Sequence, residues 1–94
     1  MDVSRSNAEA VRATLQGDSQ ACETLVCRYF GMVHAIGYAR LLDAQAAEDL
    51  SQEVFLRAYL HLDQIRPKTL PAWLSRVARN LACDWLRESR RCSR

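Results

Sequence analysis

Apolar residues recur at intervals of three and four along most of the chain, and this period is that of an α-helix. The clearest run lies between residues 47 and 62, where apolar side chains recur along one face. They are Ala47, Leu50, Val54, Ala58 and Leu62. The 94 residues include only three Gly and two Pro, and no segment alternates apolar and polar residues as a half-buried strand would. The pattern therefore predicts an all-α fold, a compact bundle of about four helices.

Capping residues and helix breakers set the limits of the predicted helices. Gly17 is a typical stop for the first helix, and Asp18, which follows it, is a typical N-cap for the second. Pro67 disfavours helix at the residue before it and so predicts a break between the last two helices. The predicted helices span approximately residues 7–16, 18–41, 43–62 and 69–90, and a loop spans residues 63–68.

Each predicted helix has an apolar stripe that we expect to face a shared core. Gly31 and Gly37 fall inside the second helix, where each lowers helix stability by about 1 kcal/mol relative to Ala. Close packing against a neighbouring helix is the expected reason for both. Besides the run at 47–62, the predicted buried residues are Ala8, Val11, Leu15, Leu25, Tyr29, Val33, Ile36, Leu74, Val77, Ala78, Leu81 and Trp85.

Length and composition predict one small domain with a thin core. No apolar run is long enough to span a membrane and the N-terminus has no signal-peptide stretch, so we expect a cytoplasmic location. The four cysteines form no CxxC pair and lack the short loops of typical zinc sites, which favours free thiols. No nucleophile–base pair or phosphate-binding loop is evident. The sequence therefore predicts a protein that is not an enzyme and that binds no metal or cofactor.

Charge is distributed unevenly along the sequence. Residues 66–94 hold eight basic and two acidic side chains, whereas residues 1–65 hold five basic and nine acidic ones. The net charge of +2 therefore conceals a basic C-terminal third and an acidic remainder. Clustered arginines suit phosphate backbones, because the guanidinium donates two parallel hydrogen bonds and keeps its charge. We expect a polyanion to bind at one end of the chain and a basic partner at the other.

Acidic residues occupy the first turns of the third predicted helix, together with apolar residues off its buried stripe. Acids at the start of a helix stabilise it through its dipole, which is a purely structural explanation. Phe55, Leu56 and Tyr59, however, cannot all face the core that the buried stripe faces. Exposed apolar residues beside acids are typical of a docking surface for a basic, partly apolar helix. The acidic cluster comprises Glu48, Asp49 and Glu53, with Gln52 among them.

Basic residues share one face of the fourth predicted helix. Arginine suits phosphates, and an amide or an aromatic ring suits a base. The plainer alternative is the solvated face of an amphipathic helix, but the excess of positive charge favours nucleic acid. The face consists of Arg76, Asn80, Cys83 and Arg87, with Arg79 at its edge and Trp73 one turn before Arg76.

These two helices resemble region 2 of bacterial RNA polymerase sigma factors, most closely the extracytoplasmic-function (ECF) type of the sigma-70 family. The resemblance is carried by two blocks, AEDLSQEVFLRAYLHLDQIRP at residues 47–67 and LPAWLSRVARNLACDWLRESRR at residues 70–91. Residues 17–42 also resemble the opening helices of that family. Because the similarity covers nearly the whole chain, it predicts a sigma factor region 2 domain that acts in transcription initiation.

The resemblance implies a protein partner for the third helix. In the family, the matching helix binds the coiled-coil clamp helices of the RNA polymerase β′ subunit. ECF factors are also held inactive by anti-sigma factors, so the resemblance implies that such a protein covers the same surfaces. The residues expected to bind RNA polymerase are Asp49, Gln52, Glu53 and Leu56, with Phe55 and Tyr59 nearby.

The resemblance also implies a DNA partner for the fourth helix and the loop before it. In the family they engage the −10 promoter element and capture an unstacked base of the non-template strand. By matching, this pocket would draw on residues 63–69, Arg76 and Asn80, whose amide offers a donor and an acceptor. The residues expected to bind DNA are Arg66, Lys68, Arg76, Arg79, Asn80, Arg87, Arg90 and Arg91.

A complete ECF factor has a second, helix-turn-helix domain for the −35 element, which residues 1–94 do not match. We expect residues 1–94 to be one region 2 domain with a frayed basic tail at 90–94, excised from a longer protein; a truncated natural product is the alternative. Two other classes remain open: a helical protein-interaction module without DNA readout, and a DNA-binding repressor. A repressor is disfavoured because no two predicted helices are joined by a tight helix-turn-helix turn.

Overall fold

The computed structural model describes the backbone of residues 3–92 and the side chains of residues 6–89. Within that range the chain forms four α-helices and two short 3-10 helices, and no strand. They are α1 (Val3–Leu15), α2 (Ser19–Leu41), α3 (Ala44–Leu60), η1 (Leu62–Gln64), η2 (Pro67–Thr69) and α4 (Leu70–Cys92). The predicted all-α fold with four helices is therefore confirmed.

Aspartate side chains begin the two central helices. The Asp18 carboxylate accepts hydrogen bonds from the backbone N–H groups of Gln20 and Ala21, at 3.0 and 3.2 Å. Asp43 accepts from the equivalent two N–H groups of α3, at 2.9 and 3.1 Å. Each cap satisfies donors that have no partner inside the helix. The predicted starts of both helices are therefore confirmed.

The first helix differs from its prediction at its start and at its buried face. It begins at Val3 rather than at residue 7. Leu15, which was predicted to be buried, is 53% exposed. Asn7, which was not predicted to be buried, lies inside the protein, where its amide donates a hydrogen bond to the Tyr29 hydroxyl at 2.6 Å. The buried side chains of α1 are Asn7, Val11 and Thr14.

The core lies where the helices meet around α2, which contacts all three others. Val33, Leu50 and Val54 are completely buried there. Burying a side chain of this size contributes about 1.5–3 kcal/mol, so these contacts stabilise the bundle more than any surface interaction. The predicted stripe of α3 is buried in full. The predicted core residues that are only half-buried are Ala8, Ile36, Val77 and Trp85.

The segment between α3 and α4, predicted as a loop, is ordered by apolar burial and by local hydrogen bonds. Leu62, Ile65 and Leu70 are buried and join η1 and η2 to the core. The Thr69 N–H donates to the Arg66 carbonyl at 2.9 Å, which closes the turn of η2. Both 3-10 helices contact α1. The start of the basic helix is thereby held against the first helix of the chain.

Gly37 lies where α2 approaches α3 most closely. A Cβ atom at this position would stand 3.2 Å from Leu50 Cδ2 and 3.5 Å from Ala47 Cα. The missing side chain therefore allows the close packing that was predicted. Gly31 differs, because it is exposed and a Cβ atom there would meet nothing within 4 Å. The close packing predicted for Gly31 is wrong.

We expect Gly31→Ala to raise the free energy of unfolding by about 0.5–1 kcal/mol, because Ala is the better helix former and its methyl group has space. Gly37→Ala is the matched control, since it brings the same gain in helix propensity but presses a methyl group against Leu50. It should gain less or lose stability. Urea unfolding followed by circular dichroism gives both values, and a destabilised Gly31→Ala would contradict the expectation.

None of the helices among the described residues is long and apolar enough to cross a bilayer. Cys22, Cys27 and Cys83 are free thiols, and of these Cys22 is the half-buried one.

Candidate nucleic-acid and protein interfaces

The fourth helix presents the basic face that its sequence predicts. Its opposite side is buried through Leu74, Ala78 and Leu81, so the helix can be oriented in only one way against the bundle. The predicted residues of this face are all exposed: Arg76, Arg79, Asn80, Cys83 and Arg87. Amphipathic periodicity therefore places these polar residues on an accessible surface.

The arginines of this face differ in what they already bind. Arg87 forms an ion pair with Asp84, one turn earlier in the same helix. Neither Arg76 nor Arg79 is paired with a carboxylate among the described residues. An exposed arginine without such a partner keeps its charge for an external anion. Arg76 and Arg79 are therefore the better placed for phosphate contacts.

A depression forms where the end of α3 and η1 meet the first turns of α4. Guanidinium, imidazole, amide and indole groups line it together, which is the combination of charge and aromatic surface that suits a nucleic-acid base. The lining residues are Arg57, His61, Gln64, Ile65, Trp73, Arg76 and Val77. Trp73 and Arg76 also line an adjacent depression, which they share with Thr69, Ala72 and Arg79.

The structure assembles only part of the base pocket that the sequence suggested. It brings Gln64 and Ile65 from the predicted loop to the depression, together with Arg76 from the helix. Asn80 is exposed one turn further along α4 and is not among the lining residues. A base that Asn80 contacts would therefore lie beyond the depression, on the open face of the helix.

Four lining residues were not predicted as part of this pocket: Arg57, His61, Trp73 and Val77, the last of which was predicted to be buried in the core. Trp73 carried a signal, since it precedes Arg76 by three residues and so shares its side of the helix. Arg57 and His61 are one turn apart at the end of α3, where the His61 ring is held by Nδ1 lying 2.9 Å from the Arg57 carbonyl. Their spacing alone does not reveal that α4 passes beside them.

Two other predicted basic residues lie on the segment before α4. Arg66 and Lys68 are exposed on the segment that leads into α4. The side chains of Arg90 and Arg91 lie outside the described residues. The predicted fraying concerns the same tail: its backbone is helical through Cys92, and residues 93 and 94 lie outside the described residues.

The outer face of α3 carries most of the predicted docking residues. Asp49 and Gln52 are exposed, and so are Leu56 and Tyr59, at 53% and 58%. Their spacing of three, four and three places them along one side of the helix. The Asp49 carboxylate accepts a hydrogen bond from the Gln45 side chain at 3.1 Å. An acid and two large apolar groups therefore lie together on an accessible surface.

Glu53 lies beside this face and is already paired. Its carboxylate binds the Arg57 guanidinium at 3.1 Å, one turn later in α3. Exposed pairs of this spacing are worth about 0.3–0.5 kcal/mol, so a basic partner can displace Arg57. Arg57 in turn lines the depression beside α4. The outer face of α3 and the depression therefore meet at this ion pair.

Phe55 was predicted to be exposed, and this is wrong. It is half-buried, packs against the core and stacks on Phe30 of α2, with 6.3 Å between the ring centroids. The reason is its position directly after Val54, which places it on the side of α3 that α2 covers. Leu60, which is 64% exposed, was not predicted and extends the apolar surface.

The described residues therefore form a four-helix bundle with a basic face on its last helix and an acidic, apolar face on the preceding one. The sigma-70 region 2 family matches residues 25–92. The chain therefore belongs to this family.

The relatives of the chain are of the predicted type. A probable RNA polymerase sigma factor of Xanthomonas campestris pv. campestris, RfaY, is 43% identical over 75 residues, which are 79% of this chain and 19% of that protein. The ECF RNA polymerase sigma factor SigW of Bacillus subtilis is 31% identical over 81 residues, 85% of this chain and 43% of that protein. SigM, another ECF sigma factor of Bacillus subtilis, is 35% identical over 63 residues, 67% of this chain and 39% of that protein.

The chain spans less than half the length of each of these relatives. The predicted resemblance to region 2 of an ECF sigma factor is confirmed. These relatives are named as sigma factors and not as enzymes, in agreement with the class that the sequence predicted.

Proposed function

We propose that this chain is the region 2 part of an ECF-type sigma factor, which acts in the cytoplasm and binds both the RNA polymerase β′ subunit and the −10 element of promoters. The observation that carries the proposal is the depression in which Trp73 lies beside Arg76, an arginine with no carboxylate partner among the described residues. Membership of the family and the names of the relatives support a general role in transcription initiation.

The depression suits a base extruded from the non-template strand. The Trp73 ring offers a stacking surface, and the Gln64 amide offers a donor and an acceptor to the edge of the base. Arg76 and Arg79 would hold the flanking phosphates. Extruding a base costs a few kcal/mol, and stacking returns about 1–3 kcal/mol before phosphate contacts are added. Asn80, beyond the depression, would read a neighbouring base.

The outer face of α3 is the proposed contact with the β′ clamp helices. Asp49 supplies a carboxylate, and Leu56 and Tyr59 supply exposed apolar area beside it. A basic helix with an apolar stripe would satisfy both kinds of group at once. Glu53 would exchange its exposed pair with Arg57 for a basic residue of the partner.

Binding to −10 DNA at several salt concentrations tests the promoter part of the proposal. Core polymerase is included, because the isolated domain is expected to bind DNA weakly. A sigma domain should prefer the single non-template strand, an interaction module should bind neither form, and a repressor should prefer duplex. A chain that shows no preference for the single strand would overturn the assignment to the −10 element.

Arg79→Gln should weaken binding to every −10 strand alike and lower the salt slope by about 0.7–1 unit, as expected for one lost phosphate contact. Arg79 is exposed and lines the second depression, which it shares with Trp73 and Arg76. Arg40→Gln removes an equal charge from the last turn of α2 and is the control. Fluorescence anisotropy over a salt series gives the slopes. Equal slopes for the two variants would mean that only the net charge of the chain matters and that Arg79 makes no specific phosphate contact.

An anti-sigma factor is the second proposed partner, and it would cover the same surfaces. Leu56, Tyr59 and Leu60 give its helices exposed apolar area beside the acids. We expect an anti-sigma fragment at about ten times its own Kd to raise the apparent Kd of a β′ clamp-helix fragment about tenfold, because the two compete for one site. Simultaneous binding in the same titration would show that the surfaces differ.

A further inference from the structure

We infer that Asn7, a residue of the first helix, is a positioning residue that holds the DNA-contacting segment in place from inside the bundle; its effect on DNA binding rests on the proposed function. Asn7 is only 1% exposed and lies far in sequence from the segment it contacts. A side chain this deeply buried has almost no surface to offer a partner. Any influence on DNA binding must therefore be exerted through the groups that it contacts.

The Asn7 amide joins three separate elements. Its Nδ2 donates to the Tyr29 hydroxyl of α2 at 2.6 Å and to the Pro67 carbonyl of η2 at 3.4 Å. Its Oδ1 accepts from Arg28 Nη1 at 2.5 Å. Arg28 is itself held by a second hydrogen bond, to the Ser6 hydroxyl at 3.0 Å. Both donors and the acceptor of the amide are occupied, so it cannot rotate without leaving a buried polar group unsatisfied.

The Pro67 carbonyl is the point at which η2 passes into α4. It also accepts the backbone N–H of Leu70, the first residue of α4. Proline has no N–H group, so this carbonyl is its sole backbone hydrogen-bonding group. The contact between α1 and η2 presses the same segment against the first helix. Asn7 therefore sets the orientation of the peptide that lies between Gln64 and Trp73, which both line the depression.

Asn7→Asp tests the inference with almost no change in volume. The carboxylate still accepts from Arg28, but it donates to neither partner and places an oxygen against the Pro67 carbonyl. We expect the amide hydrogens of Thr69 and Leu70 to exchange about tenfold faster in the free chain, while those of α3 keep their rates. With core polymerase, affinity for the −10 strand should fall about three- to tenfold, which corresponds to the loss of one hydrogen bond. Affinity for the β′ fragment should not change.

Tyr29→Phe is the matched control within the same network. It removes the hydroxyl that Asn7 binds in α2 and leaves the contact with Pro67 in place. It should lower overall stability without selectively accelerating exchange at Thr69 and Leu70. If the aspartate variant does not fold, Asn7→Leu, which buries no charge and also lacks the donors, takes its place in every measurement.

Unchanged exchange at Thr69 and Leu70 in the Asn7 variants would overturn the inference, whatever the chain binds. Faster exchange with unchanged affinity for the −10 strand would overturn the claim that Asn7 influences DNA binding. Equal acceleration in Tyr29→Phe would show general destabilisation and would overturn it also. If the unaltered chain failed to bind the −10 strand, the proposed function would fail, and the exchange rates would still decide whether Asn7 holds the segment.

Discussion

Reversing two acids of α3 together, Asp49→Lys with Glu53→Lys, should weaken binding to a β′ clamp-helix fragment by about 2–4 kcal/mol. The two carboxylates lie one turn apart, and each reversal replaces attraction to a basic partner by repulsion. Isothermal titration calorimetry gives the loss directly. Unchanged affinity in a folded variant would exclude this face of α3 as the docking surface.

The fold should survive this double change. Asp49 is exposed, and its carboxylate accepts a hydrogen bond from the equally exposed Gln45 side chain. Glu53 loses its exposed pair with Arg57, and the new like-charge contact costs about as much again, a few tenths of a kcal/mol in each case. Circular dichroism should therefore show unchanged helix content, which separates lost docking from lost structure.

A second double reversal, Glu23→Lys with Glu88→Lys, controls for net charge. It changes the charge of the chain by the same amount, but Glu23 lies in α2 and Glu88 near the end of α4, both exposed and on helices other than α3. Its affinity for the β′ fragment should fall much less. Similar losses for both pairs would mean that long-range attraction and not a specific contact governs the binding.

Asn80→Ala should change which base is preferred at one position of the −10 element, at a cost of about 1–3 kcal/mol for the favoured base. The side chain is exposed on α4, so its removal leaves no cavity, and Ala is the better helix former. A panel of −10 strands that differ at one position, measured with core polymerase, resolves the change. An equal loss for every base would make Asn80 a backbone contact or a structural residue.

Gln64→Ala separates the two places at which a base could be read. Gln64 lines the depression beside Trp73, whereas Asn80 lies beyond it. If each amide reads its own base, the two variants should alter preference at two different positions of the −10 element. Changes at the same position would mean that one base contacts both residues, and the division between the depression and the open face of α4 would then be wrong.

The elements of this fold were readable from the sequence because they depend on neighbours along the chain. Helical spacing identified the buried stripe of α3, and Asp18 and Asp43 mark the helix starts through hydrogen bonds to residues two and three positions away. The basic face of α4 follows from the same spacing. Local chemistry decides these features, so a local pattern reveals them.

Helical spacing did not predict whether residues at the edge of a buried face are exposed. The predictions for Leu15, Gly31 and Phe55 were each wrong, and each of these residues lies at the edge of the buried face of its helix or outside it. Whether such a residue is covered depends on the width and direction of the neighbouring helix. Phe55 is covered because α2 brings Phe30 beside it, whereas Leu15 is exposed although it lies one turn after the buried Val11.

The sequence by itself determined the helices, the family and the two charged faces. The tertiary structure alone decided which groups meet in the depression, where Arg57 and His61 from the end of α3 come to lie beside Trp73 of α4. It also decided that Asn7 supports the Pro67 carbonyl across 60 residues of sequence. Contacts between residues so far apart are created by the packing of whole helices, and no periodicity or capping pattern records them.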